Sequence, residues 1–148
     1  MIFADRAEAG RELATLLKSY ASRTDVVVLG IPRGGVPVAY QIAVQLHAPL
    51  DVFIVRKLGV PGREELAFGA VASGGIRYLD SEIVEAVGIS DPGIELIEEK
   101  EKQEMERRER VYRGARPPLA VEGRRSFLWT MVSPLVPVCR WRSLHCVR

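Results

Sequence analysis

The chain has 148 residues, 47% hydrophobic and 27% charged, which suits one globular domain and excludes a disordered or fibrous class. No apolar run approaches the roughly 20 residues of a membrane span. The N-terminus from Met1 to Arg11 carries charge where a signal peptide would carry an apolar core, so a cytoplasmic protein without a membrane partner is expected. The net charge of +2 hides an asymmetry. Residues 1–123 hold 16 Lys and Arg against 19 Asp and Glu, a net −3, while residues 124–148 add five arginines and no acid. The body therefore shows no basic stripe for nucleic acid.

In chain order, Asp5 is placed to cap a helix running to about Tyr20, with Ala9, Leu13, Leu16 and Leu17 on one face. Val26-Val27-Val28-Leu29 is a continuous apolar run, as in strands buried on both faces. Gly30 to Gly35 forms a turn, a helix follows from about Val36 to Leu46, and Asp51 to Val55 is a second buried strand. Strand, turn, helix and strand in this compass make a βαβ unit, so an α/β fold with a parallel sheet is expected. Arg56 to Glu65 contains Gly59, Pro61 and Gly62 and is expected to be a mobile loop. Leu66 to Ser73 and Ile76 to Leu79 flank Gly74-Gly75, a hairpin signal. A helical segment covers about residues 80–113: a short helix from Asp80 to about Val87, then a long one opened by Asp91-Pro92. The charge run of the long helix is expected to form a solvated face.

Two segments carry candidate chemistry. Pro32-Arg33-Gly34-Gly35-Val36 lies between a buried strand and a helix. There, glycines let backbone N–H groups approach an anion, the helix N-terminus adds partial positive charge, and Arg33 can add a bidentate phosphate contact. The same residues also suit a tight βα turn with a solvent-facing arginine. Arg56-Lys57 places two cations near the C-terminal end of the next strand, the edge at which open α/β sheets bind ligands. With a flexible loop beside them they suit a polyanionic substrate and a closing lid, or simply a basic surface loop. No cluster of residues points to a metal site; Cys139 and Cys146 alone are weak evidence for a disulfide or a metal.

Together these segments resemble the type I phosphoribosyltransferases. Gly30-Ile31-Pro32-Arg33-Gly34-Gly35 is similar to their pyrophosphate loop, and Val55-Arg56-Lys57 with Phe68-Gly69-Ala70-Val71 is similar to their flexible catalytic loop and the hairpin behind it. The likeness covers about residues 1–124 and implies a Rossmann-like parallel-sheet core, incomplete at the C-terminal side. It implies transfer of a phosphoribosyl group from phosphoribosyl pyrophosphate (PRPP) to a nitrogen acceptor, with release of pyrophosphate and with Mg²⁺ bound alongside PRPP. Pro32 to Val36, through the N–H groups of Arg33, Gly34 and Gly35, would hold the pyrophosphate. Arg56 and Lys57 would act catalytically, offsetting charge on the leaving group. A non-catalytic PRPP- or nucleotide-binding regulatory module on the same fold is the alternative.

In this family a linker is followed by a strand and the PRPP motif Val-Asp-Asp-Gly, an apolar residue, then Ala-Thr-Gly-Ala. Here Glu122-Gly123-Arg124 arrives on schedule, yet no acidic residue occurs after Glu122. The codons tell a different story. Reading one base earlier from Leu128, the single Trp129 codon TGG and Thr130 force GAC, an aspartate, and Met131 with Val132 forces GGT, a glycine. Through Pro137 the same offset permits each of the other residues of the nine-position motif. Residues 125–148 are therefore expected to be an out-of-frame tail following a one-base deletion near the Arg124 codon. An Arg/Trp-rich partner or membrane-surface segment is the competing reading, opposed by the lack of an amphipathic period and by Pro134 and Pro137. Without the motif the chain is expected to be inactive and to bind no Mg²⁺ by itself. Apolar sheet surface left uncovered would favour instability or self-association, which keeps a homo-oligomer open.

Overall fold

The computed structural model describes residues 3–130, and the chain divides into two compact units. The first comprises residues 1–53 and 116–148, the second residues 54–115. The sequence reading of Cys139, Cys146 and the chain beyond Ser133 falls outside the described residues.

The first unit is built on a parallel sheet of order β2-β1-β6, comprising β1 (Val26–Gly30), β2 (Leu50–Val52) and β6 (Arg125–Trp129). All five residues of β1 are buried, as its unbroken apolar run requires for a central strand. Helices α1 (Arg6–Leu16) and α2 (Gly35–Leu46) pack Ala14, Val38, Ala39, Ile42 and Leu46 against Val28. They cross closely because Gly10 has no side chain: a Cβ there would meet the Val38 carbonyl oxygen at 2.7 Å. Asp5 caps α1 as the sequence indicates, accepting from the Glu8 N–H. The helix ends earlier than expected, however, and passes into a single 3₁₀ turn, Lys18–Tyr20. Leu17 continues the buried face of Gly10 and Ala14 at helical spacing, whereas Leu16 lies off that face and is 78% exposed.

The apolar run Asp51 to Val55 is not one strand. β2 stops at Val52, and Val55 opens a strand of the second unit. Periodicity cannot reveal such a division, because both pieces are apolar. Asp51 fixes the returning chain: its Oδ2 accepts from the Leu119 N–H at 3.0 Å, and its Oδ1 from the Val52 N–H at 2.7 Å.

The second unit is an antiparallel sheet, β3 (Val55–Val60), β4 (Arg63–Ala72) and β5 (Ile76–Leu79), carrying α3 (Ser81–Val87) and α4 (Asp91–Arg113). The loop expected over Arg56 to Glu65 is instead a hairpin with only Pro61 and Gly62 in its turn, where Gly62 takes φ +75°. Leu58 and Val60 alternate inward and are buried with Phe68, Val71 and Ile94, which holds the segment in strand form. Its pairing is irregular around Gly59. The Gly74-Gly75 hairpin is present, with both glycines at positive φ. The cap of α4 is Ser90, one residue before the expected Asp91, and Pro92 sits in the first turn.

The acids of α4 do not all face water. Ile94, Glu98, Glu101, Met105 and Glu109 recur at helical spacing, and Glu98 is only 6% exposed. Glu98 pairs with Arg77 and Lys102, Glu101 with Arg56, and Glu109 with the Ser73 hydroxyl and Arg113. Sequence pattern alone gives this stripe as solvent-facing because the cations of the sheet that it meets, Arg77 and Arg56, lie 21 and 45 residues away.

In the first unit β6 is tied to the start of β1 by charge. Asp25 accepts two hydrogen bonds from Arg23, at 2.9 and 3.0 Å, and one from Arg125 at 3.1 Å. The Arg23 hydrogen bonds, assisted by Arg125, hold the exposed Asp25 carboxyl at about 2, below its ordinary 3.8. Because the folded value is depressed, the stabilisation is complete above pH 3.8 and fades as pH falls towards 2. A carboxyl-carbon NMR titration should give Asp25 a midpoint near 2 in the intact chain and one returning towards 3.8 in Arg23→Ala. A midpoint near 3.8 in the intact chain would refute the pairing.

Candidate functional site

β1 runs straight into the turn Ile31 to Gly34, and α2 begins at Gly35. The turn thus stands at the C-terminal edge of the central strand of a parallel sheet, where α/β proteins bind ligands. Pro32 supplies no N–H, and the Pro32–Arg33 peptide is cis. Of the three expected N–H donors, Gly35 is already engaged: it donates to the Ile31 carbonyl at 2.9 Å and closes the turn. Among the described residues, the N–H groups of Arg33, Gly34 and Val36 meet no acceptor. The first turn of α2 contains no acidic side chain, so nothing there competes for the helix's positive end. Arg33 is exposed and makes no ion pair among the described residues. Three unfilled donors, a helix N-terminus and a neighbouring guanidinium can hold an oxyanion.

Gly35 is required for a reason the sequence did not show. A Cβ on it would lie 2.2 Å from the Trp129 carbonyl oxygen, which itself accepts from the Ile31 N–H at 2.8 Å. The end of β6 is therefore pressed against the turn. Trp129 also supplies the buried side-chain nitrogen, Nε1, that lacks a partner among the described residues.

Arg56 and Lys57 belong to the second unit, in β3 and not in a loop. Successive strand residues point to opposite faces, so the two adjacent cations are not brought together. Arg56 turns inward to Glu101 of α4, its Nε 2.7 Å and its Nη2 2.6 Å from Oε2. Lys57 points to the outer face, where its Nζ lies 3.2 Å from the fully exposed Glu65 carboxylate. Glu101 was missed by sequence reasoning. Only its helical spacing from Glu98 and Met105 could have marked it as inward-facing.

The first unit defines the chain as a parallel α/β protein whose central strand meets the following helix at a turn with unfilled N–H groups. The profile of the family described as "Phosphoribosyl transferase domain" matches residues 3–85. Proteins from two strains of Mycobacterium tuberculosis, each described as "Putative phosphoribosyl transferase", are 45% identical over 123 residues, 83% of this chain. The chain spans 28% of the length of these curated relatives. The crystal structure of TT1426 from Thermus thermophilus matches with a TM-score of 0.71 and 38% identity, over 87% of this chain and 61% of that one. The chain belongs to the phosphoribosyl transferase domain family.

Gly35→Ala separates this close packing from simple helix propensity. Propensity alone favours alanine by about 1 kcal/mol. The clash with Trp129 predicts instead a loss of about 1–3 kcal/mol, read as a lower urea midpoint. A raised midpoint would show that β6 does not lie against the turn.

Proposed function

We propose that the turn from Pro32 to Val36 holds the pyrophosphate of PRPP, with the N–H groups of Arg33, Gly34 and Val36 and the Arg33 side chain as donors. The observation that carries the reading is the set of unfilled N–H groups where the central strand meets α2. Arg56 and Lys57 supply cationic stabilisation to the leaving group as the C1–O bond breaks and a nitrogen nucleophile attacks. Of the two, Arg56 is the stronger candidate, because its pairing fixes its direction, whereas Lys57 stands exposed on the other face of the hairpin.

Residues 125–148 are, on this reading, an out-of-frame tail appended to a phosphoribosyltransferase-like portion of residues 1–124. Support comes from three sides. The likeness to the mycobacterial relatives extends over 123 residues, about the length that precedes the tail. β6 pairs Trp129 with Gly30, so the aspartate forced by the shifted frame falls just past the strand end, at the ligand edge of the sheet. And Trp129 fits its place poorly, with a buried Nε1 that has no partner among the described residues.

Mg²⁺ enters this reading only as the companion of PRPP. Among the described residues no group of three or more His, Cys, Asp or Glu side chains could cage a cation, and no step is assigned to the ion. Without the Asp pair and the Thr-Gly turn, nothing positions the ribose and the 5′-phosphate. That forfeits much of the roughly 7–11 kcal/mol that orientation supplies. The chain as written is accordingly inactive.

The test is pyrophosphate release from PRPP and Mg²⁺ with a panel of nitrogen bases, by this chain and by its frame-restored form. The expected result is no release by the chain and acceptor-dependent release by the restored form. Release by the chain as written would overturn the proposal. Tight PRPP binding by the restored form without turnover of any base would identify a regulatory binding module instead.

A further inference from the structure

Within the second unit, one ion pair differs from its neighbours. Arg56 of β3, Val71 of β4 and Arg77 of β5 stand in register across the sheet, so the two guanidinium groups flank Val71 in one row. Each arginine meets an acid of α4, but the acids are not used alike. Glu98 is shared by Arg77 at 2.8 Å and Lys102 at 2.9 Å, a charge held by two cations on a side chain 8% exposed. Glu101 faces Arg56 alone among the described residues, and it takes hold of one edge of the guanidinium only. Nε and Nη2 converge on the single oxygen Oε2. Nη1 has no partner among the described residues, and the Arg56 side chain keeps 27% of its surface exposed.

We propose that Glu101 is the positioning residue of Arg56: by occupying the Nε edge of the guanidinium it presents the Nη1 edge to a phosphoryl group of pyrophosphate. The inference rests on the assignment of Arg56 to the pyrophosphate leaving group. The physical case is one of entropy and direction. An arginine ordinarily gives up several rotatable bonds when it grips an anion, and a carboxylate that already fixes the Nε side removes much of that loss before binding. The planar fork then offers its remaining donors along one direction, with the bidentate geometry an oxyanion accepts. A pin that merely docked α4 onto the sheet would need no open edge, and Glu98 with Arg77 already supplies such a pin.

Arginine side-chain NMR of the full chain, titrated with inorganic pyrophosphate, tests this. Arg56→Lys assigns the signals. The expected result is that the Arg56 Nη resonances shift on titration while the Nε–Hε signal remains in its Glu101-bonded position. Glu101→Gln, nearly isosteric, should weaken pyrophosphate binding by roughly tenfold, the cost of one charge-assisted hydrogen bond losing its geometry. It should also release the Hε signal to rapid solvent exchange. If Glu101→Gln fails to fold, the contrast between Nη and Nε in the unsubstituted chain decides. Equal pyrophosphate affinity in a folded Glu101→Gln protein overturns the inference. So does an Arg56 that stays silent while the backbone amides of Arg33 and Gly34 shift, an outcome that leaves the pyrophosphate turn standing. Silence from both Arg56 and those amides overturns the inference and the proposed function together.

Discussion

The burial of β1 is the constraint on which the first unit depends. Val26 to Gly30 are all enclosed, with β2 on one edge and β6 on the other, and α1 and α2 packed on Val28. A strand so enclosed has its backbone groups satisfied by parallel neighbours, and its direction is fixed. The turn that follows inherits that rigidity. Its N–H groups are aimed by the strand before it and the helix after it, with Gly35 closing the turn onto Ile31. On the proposed reading these donors are preorganised and need not be gathered when an anion binds.

The same constraint explains why the tail matters. The slot beside β1 is filled by Arg125 to Trp129, and its occupant is pressed against the turn at Gly35. Any sequence apolar and β-prone enough can pair there, and Ser126-Phe127-Leu128-Trp129 does so, with Phe127 stacked edge-on to Tyr20 at 5.0 Å. Pairing is a property of the backbone, but the chemistry at the strand's end is a property of particular side chains. A frame change spares the first and removes the second. On the proposed reading the chain keeps its pyrophosphate turn and loses the groups that would orient the rest of the substrate.

Much of the first unit was legible in the sequence because its signals are local. Asp5 as a cap, the unbroken Val26–Leu29 run and the Gly-rich turn before a helix each specify structure within a few residues. The Gly74-Gly75 hairpin and the helices after Asp80 were legible for the same reason. What escaped reading depends on distant partners. Leu58 and Val60 become strand residues only because Phe68 and Ile94 bury them, so a Gly/Pro-rich stretch that looked like a loop is a hairpin. Glu98 and Glu101 face inward only because Arg77 and Arg56 lie beneath α4. In the turn, one expected donor is spent on the fold itself: Gly35 N–H bonds the Ile31 carbonyl, and the Gly35 Cα faces the Trp129 carbonyl. The separation of Arg56 from Lys57 follows from strand alternation, which a loop assignment had concealed.

The claim that the tail is a shifted reading of a ribose-phosphate motif is tested most directly by the DNA itself. Sequencing the gene from the Arg124 codon through the Pro137 codon reads the bases that the protein sequence leaves undetermined. The account predicts G as the third base of Leu128 and of Thr130, and then bases that spell apolar, Ala, Thr, Gly and Ala in the frame one base earlier. It also predicts a missing base close to Arg124 when the surrounding codons are compared with those of the family. Third bases that spell other residues in that frame would contradict it, and would leave the tail as a sequence in its own right.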